Sequence, residues 1–458
     1  MSTYATLSLT KKNSLIVILI FTGIVVFDST IVKFSSYSGV QPSNELNFAI
    51  FVIFSVIFVA TGTMLINSVR KSISSNPFNS AAPPLALGYF HLMITTILIV
   101  SITIILVSIL QMILLNNYSL ILLRVQTYLS HLSPLIFLSF LIFLFGSWLT
   151  SKRNYIIILY TISFSLVSAN LVISLIYLES YFTSSAALPE VRPYPLVSYV
   201  TNSPAPSSAE LLFTAFDALS LSSFLLMWIA TAILLSQYRF RMGRIKYFTL
   251  MSIPLIYYIF PFQSYFGDLF FPLLLSSPVV FSVIYVLIFS AAKQVAALLF
   301  SLSFWTSSSL VHDNRVRNSL LTSSIGMAFL FGSIELTPLQ YHVYPPYGLV
   351  TEAFIPLGAY LLFVGIFTSA KYVSQDGKLR KEFYKSAANQ LTLLKNIGVS
   401  EMEKEFEKKV KFLEERSRLS GIIDDSPLEV EMEAEDIKET LRDVLNELYY
   451  SKKSKEEI

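Results

Sequence analysis

The chain has 458 residues, 54% of them apolar and 14% charged, with a formal net charge of +3, whereas an ordinary soluble protein has about 25% charged residues. This balance excludes a soluble globular enzyme, and no basic stripe with interleaved aromatics points to nucleic acid as a partner. The absence of cysteine rules out disulfides, zinc thiolates, iron–sulfur ligands and cysteine nucleophiles together.

Charge is distributed very unevenly. Of the 63 charged side chains, 37 follow Ala370. The chain therefore reads as an all-α, polytopic transmembrane helix bundle over 1–370, with the lipid bilayer as its first partner, and a charged cytoplasmic helical tail over 371–458.

A helix needs about 20 mainly apolar residues to cross the hydrocarbon core. Six such stretches precede Arg239: 13–32, 46–69, 86–111, 134–150, 155–178 and 211–235. The first follows Lys11 and Lys12 but lacks a small-residue cleavage site, so it reads as a retained helix rather than a signal peptide. Basic residues resist translocation and collect in short cytoplasmic loops. Lys11 and Lys12, Arg70 and Lys71, Lys152 and Arg153, and Arg239, Arg241, Arg244 and Lys246 all fall on one side, which places the N-terminus in the cytoplasm. On the other side lies a proline-rich loop, 179–210, whose prolines deny it a regular helix.

Five further apolar segments come next, at 248–262, 270–290, 294–311, 320–334 and 348–370. Eleven full crossings would export Arg315, Arg317 and the basic cluster after Ala370, against the positive-inside rule. Segment 270–290 is the one expected not to cross fully, because Pro272 and Ser276-Ser277-Pro278 interrupt it. The expectation is about ten crossings plus one broken or re-entrant segment, in the plasma membrane, with both termini cytoplasmic.

The tail carries three amphipathic stripes. Ser400-Glu401-Met402-Glu403 fits the capping box S-x-x-E and predicts a helix from 401 to 419, with Met402, Phe406, Val410 and Leu413 on one face. Phe383, Ala387, Leu391 and Leu394 form a stripe upstream, and Ile437, Leu441, Val444, Leu445 and Leu448 another downstream. Such stripes must be covered: by one another, by a cytoplasmic protein partner, or by self-association through 379–449.

An ionisable residue inside a crossing is costly and so marks a candidate functional position. Asp217 lies within the sixth crossing, where it either binds a cation or relays a proton, or simply bonds serines such as Ser220. Glu352 sits one turn into the last crossing and Glu335 ends the one before. The hairpin between them either brings the two carboxylates together, to share a proton or hold a cation, or lets both reach outer water. The water-reaching reading is the plainer one, because helix-end charges snorkel. Asp28, near the outer end of the first crossing, is open to the same alternatives. Of the four histidines only His91 falls within a crossing; His131, His312 and His342 fall at ends or loops, so no facing pair for haem is expected. Without a nucleotide, metal or hydrolase motif, neither a cofactor nor a catalytic residue is expected.

The run Tyr344-Pro345-Pro346-Tyr347-Gly348, continuing through Tyr360-Leu361-Leu362-Phe363-Val364-Gly365-Ile366 to Ser374-Gln375-Asp376-Gly377-Lys378-Leu379-Arg380-Lys381, resembles a block in uncharacterised multi-helix membrane proteins of ammonia-oxidising archaea. Leu394-Lys395-Asn396-Ile397-Gly398 and Asp436-Ile437-Lys438 are similar to the region downstream of that block, so the likeness spans about 300–445. The resemblance implies an archaeal plasma-membrane protein with a cytoplasmic helical tail and brings no activity or site residue with it. Two functions remain open at this level: a receptor, sensor or scaffold working through its tail, and a secondary transporter or channel using intramembrane carboxylates.

Overall fold

The structure is a computed structural model that describes residues 10–38, 44–74, 84–115, 118–151, 154–184, 208–236, 243–259, 292–334, 345–346, 348–376 and 397–404, with isolated positions between 272 and 283 and Leu394. Among the described residues every regular element is a helix. In chain order these are α1 (Lys11–Ser38), α2 (Asn44–Ser74), α3 (Pro84–Leu115), α4 (Leu120–Ser151), α5 (Tyr155–Ser184), α6 (Ser208–Leu235), α7 (Arg244–Ile259), α8 (Ala292–Ser308), α9 (Asn314–Ile334) and α10 (Gly348–Gln375). Seven of them, α1 to α6 and α10, are long and apolar enough to cross a membrane. Segment 270–290 lies largely outside the described residues.

Local chemistry sets several helix starts. Asp313 Oδ1 accepts the backbone N–H groups of Arg315 at 2.7 Å and Val316 at 3.0 Å, satisfying donors that the first turn of α9 leaves open. Asn154 does the same for Ile156 at the start of α5, and Thr10 for Asn13 at the start of α1.

One boundary differs from the sequence reading. Hydropathy puts the start of the fourth apolar stretch at Pro134, yet α4 begins at Leu120 and runs through that proline. Arg124, Gln126 and His131 give residues 120–133 the look of a loop. In the folded chain each of the three has a side-chain partner: Glu179, Ser130 and Ser174 respectively. A proline inside a membrane helix is tolerated where neighbouring groups take up the freed backbone.

The axis of the bundle is α10. All of its apolar window is buried, against 33–44% for the six other candidate spans. It is flanked by α1, α2, α3, α4 and α9. The outer helices turn Leu110, Ile113 and Phe143 outward, as a lipid-facing surface requires, since lipid tails are as apolar as the side chains they surround.

Two helices approach closely only where their side chains are small, and α9 and α10 meet in this way. A Cβ added to Gly326 would lie 2.8 Å from the Gly358 carbonyl oxygen, one added to Gly358 would lie 2.6 Å from the Leu330 backbone nitrogen, and one added to Gly365 would lie 2.6 Å from the Ser319 carbonyl oxygen. The Thr368 hydroxyl donates to Ser319 Oγ across the same seam at 3.0 Å. Toward α1 and α2 the contact becomes aromatic: the rings of Phe21, Phe58 and Phe329 surround Phe354 with centroids 4.9–5.0 Å away, in the edge-on geometry that rings prefer.

Helices α4 and α10 lie side by side and run in the same direction. Thr127 meets Glu352, Phe137 meets Tyr360, and Phe140 meets Phe363, the residue numbers rising together on both helices. This pair carries polar side chains at one end and the start of the tail at the other.

Candidate functional site

The first end of the α4–α10 pair holds a buried polar network. Asp28, in the C-terminal half of α1, and Glu352, in the second turn of α10, both have 0% exposure. Asp28 Oδ2 accepts the hydroxyl of Thr351, the residue before Glu352. Its Oδ1 is buried without a hydrogen-bond partner among the described residues. Glu352 Oε2 lies 3.5 Å from Thr127 Oγ1.

From Thr127 the network continues into α5. The Thr127 carbonyl oxygen is 2.9 Å from His131 Nδ1. A carbonyl can only accept, so Nδ1 carries a hydrogen. His131 Nε2 lies 3.3 Å from Ser174 Oγ, which completes a line from α10 through α4 to α5. Both His131 and Ser174 are buried. Nearer the outside, Arg124 holds Glu179 in a two-pronged ion pair, Nε at 3.1 Å and Nη2 at 2.5 Å, and the Tyr128 hydroxyl donates to the same carboxylate at 3.0 Å.

Burial of Glu352 overturns the snorkelling reading. A carboxylate one turn from a helix end reaches water only if that helix lies at the edge of a bundle, and α10 is enclosed along its whole length. His131, read as a helix-end residue, is likewise inside α4 and inside the bundle, because α4 starts fourteen residues before Pro134.

Asp217 stands apart from this network. It is on α6, partly exposed, within electrostatic reach of Tyr177 on α5. Ser220, one turn further, is paired with the Tyr258 hydroxyl of α7 at 2.7 Å. Glu335 and His342 lie outside the described residues. His91 on α3 bonds the Tyr360 hydroxyl at 2.9 Å, and His312 is exposed between α8 and α9. Among the described residues no three His, Asp or Glu side chains converge as metal ligands.

The opposite end of the pair receives the tail. Residues 397–404 are helical, and Ile397, Val399 and Met402 are buried. The Trp148 indole N–H donates to Glu401 at 3.0 Å, and the Lys404 ammonium donates to Ser147 Oγ. Gly398 closes on α10, where a Cβ would lie 2.8 Å from that of Val373.

The capping box expected at Ser400 is not formed. The helix already includes Ile397 to Val399, so Ser400 is an interior residue, and its hydroxyl is buried with no hydrogen-bond partner among the described residues. The remainder of the three tail stripes lies outside the described residues, except Leu394, which is buried. Basic residues gather at this end too: Lys11 sits over the Trp305 ring at 5.3 Å and Arg315 over Tyr372 at 5.5 Å, in cation–π geometry.

Sequence reasoning singles out Glu352, touches on Asp28 and places His131 at a helix end or loop, but passes over Thr127 and Ser174. The signal for His131 is the i, i+4 spacing from Thr127 on a helix, once 120–133 is read as helical. No protein-family model matches the chain, and no curated protein or solved structure matches it significantly.

Proposed function

We propose that the protein is a multi-pass receptor or sensor of an archaeal plasma membrane, with both termini in the cytoplasm, whose bundle is read out through the helical tail by a protein partner. The observation that carries this reading is the seating of 397–404 on Trp148 of α4 and Val373 of α10. The same two helices hold the buried polar network about 32 Å away, the length of the 21 residues from Thr127 to Trp148 or from Glu352 to Val373 at 1.5 Å each. A rearrangement of the network is thereby in line to shift the platform on which the tail rests. Broken segment 270–290 and ten crossings remain part of this reading, since they keep Arg315, Arg317 and the tail on one side.

The test is affinity purification from native membranes using the full chain, a Glu401→Ala variant and a version cut after Gln375. Partners held by the full chain, altered by the variant and lost with the tail support the reading. Identical sets from all three contradict it.

A second reading, a secondary transporter, is favoured by one observation: Asp28 and Glu352 are both completely buried, and intramembrane carboxylates serve ion coupling. Under it, Glu352→Gln abolishes ion-dependent uptake into vesicles, and Asp217→Asn does so if α6 also lines the path.

A further inference from the structure

We propose that the ends of α1, α8 and α9 beside the tail form a binding site for the headgroup of an anionic phospholipid. Three side chains from three helices meet there. Lys11, at the start of α1, lies over the ring of Trp305, near the end of α8, at 5.3 Å. The indole N–H of Trp305 donates to the Lys11 carbonyl oxygen at 3.4 Å. Arg317, in the first turn of α9, is within electrostatic reach of Lys11, and the packing of α1 on both α8 and α9 fixes this convergence. Two like charges drawn together at a partly buried position repel each other, and an anion between them removes that cost. Asp313, the acid nearest in sequence, is turned to Arg315 and to the backbone at the start of α9. Among the described residues no ion pair joins an acid to Lys11 or Arg317.

The surface next to the cations selects a lipid over a free anion or an acidic peptide. Lys11 opens the apolar window Lys11–Thr30, so its charge stands at the boundary of the hydrocarbon. One and two turns further, Leu15, Ile16, Leu19 and Ile20 are 41–54% exposed, on the side of α1 that carries Lys11 and Lys12, since residues three and four apart share a helix face. A phosphate held by Lys11 and Arg317 therefore has acyl chains running directly onto an apolar strip, whereas inorganic phosphate or a carboxylate-rich peptide has nothing to lay along it. Trp305 adds an amphipathic ring of the kind that concentrates at headgroup level, and basic pockets between membrane helices recognise anionic headgroups. The ammonium brings three donors and the guanidinium a planar fork, both suited to phosphate oxygens.

This site does not depend on whether the tail recruits a partner, and it fits a sensor and a transporter alike. The test is native mass spectrometry of the full chain released from a neutral detergent, titrated with phosphatidylglycerol or with phosphatidylcholine of the same chains. Phosphatidylglycerol is expected to bind roughly tenfold more tightly or better, and Lys11→Gln and Arg317→Gln are each expected to weaken it about fivefold, the order of one basic residue at an anionic surface. Phosphatidylcholine binding should not change in either variant. Lys246→Gln removes an exposed cation from the start of α7 and is expected to alter neither lipid. Four results overturn the proposal. They are equal affinity for the two lipids; a loss in Lys246→Gln as large as in Lys11→Gln, which would make the attraction diffuse; full displacement of phosphatidylglycerol by an equal concentration of inorganic phosphate, which would make this a free-anion site; and phosphatidylglycerol binding that appears only once the acidic residues of 424–436 are neutralised, which would make that stretch of the tail the occupant. If Lys11→Gln does not fold, an unchanged affinity in Arg317→Gln overturns the proposal by itself.

Discussion

Trp148 donates its indole N–H to Glu401 across 3.0 Å, tying the end of α4 to a tail residue far along the chain. A hydrogen bond to a charged group contributes about 1.5–3 kcal/mol, and this one is partly buried. Trp148→Phe keeps an aromatic ring beside Phe145 but removes the indole donor together with part of a buried ring system. The released fraction of the tail is expected to rise roughly tenfold, the factor that about 1.4 kcal/mol produces, and limited trypsin digestion of membranes should show faster cleavage in the tail with the bundle unchanged.

The α9–α10 seam leads to a sharper contrast. Gly326→Ala would drive a methyl to 2.8 Å from the Gly358 carbonyl oxygen, against backbone that cannot swing away, whereas the Cβ position of Gly88 on α3 has nothing within 4 Å. Overpacking of this kind costs about 1–3 kcal/mol, while alanine in an open helical position is favoured over glycine by about 0.5–1 kcal/mol. Thermal unfolding in detergent should therefore fall by several degrees for Gly326→Ala and hold or rise for Gly88→Ala.

Arg124 and Glu179 form an ion pair that joins two candidate spans. Their side chains are 40% and 35% exposed, so solvent screens the attraction and the coupling is expected to be about 1 kcal/mol at most. A double-mutant cycle with Arg124→Met and Glu179→Gln measures it. The same pairing explains why a basic residue is tolerated at the end of the bundle opposite to most of the others.

Topology has its own check, which the absence of native cysteine makes clean. With single cysteines introduced, a membrane-impermeant thiol reagent applied to intact cells should label position 198 and spare position 453. Labelling at 453 would restore eleven crossings.

The positions of most helices are legible in the sequence because hydropathy reports length and apolarity, the two properties a crossing needs. It does not report which neighbours a helix faces. Residues 120–133 look like a loop because Arg124, Gln126 and His131 are polar, and only their partners on α4 and α5 make a helix stable there. Glu352 looks close to water because depth along a helix is visible in a sequence, while enclosure on all sides is not; α10 is apolar all round, so no stripe announces that it is the axis. Ser400 fits a capping box by spacing alone, yet the helix has already begun at Ile397, where Gly398 allows contact with Val373. The stripe residues Leu394 and Met402 do need cover, as their spacing implies, and the bundle itself is part of that cover.

The measurement that tests the docked tail most directly places cysteines at Ser147 and Lys404 and applies to native membranes a bifunctional thiol cross-linker long enough to replace the lysine side chain that makes the contact. If the tail is seated on the C-terminal end of α4, the two positions should be cross-linked within one chain in most molecules, and far less so when Trp148→Phe is added. No cross-link in the otherwise folded protein, or one that forms equally well with and without Trp148, would contradict the docked tail and the readout built on it.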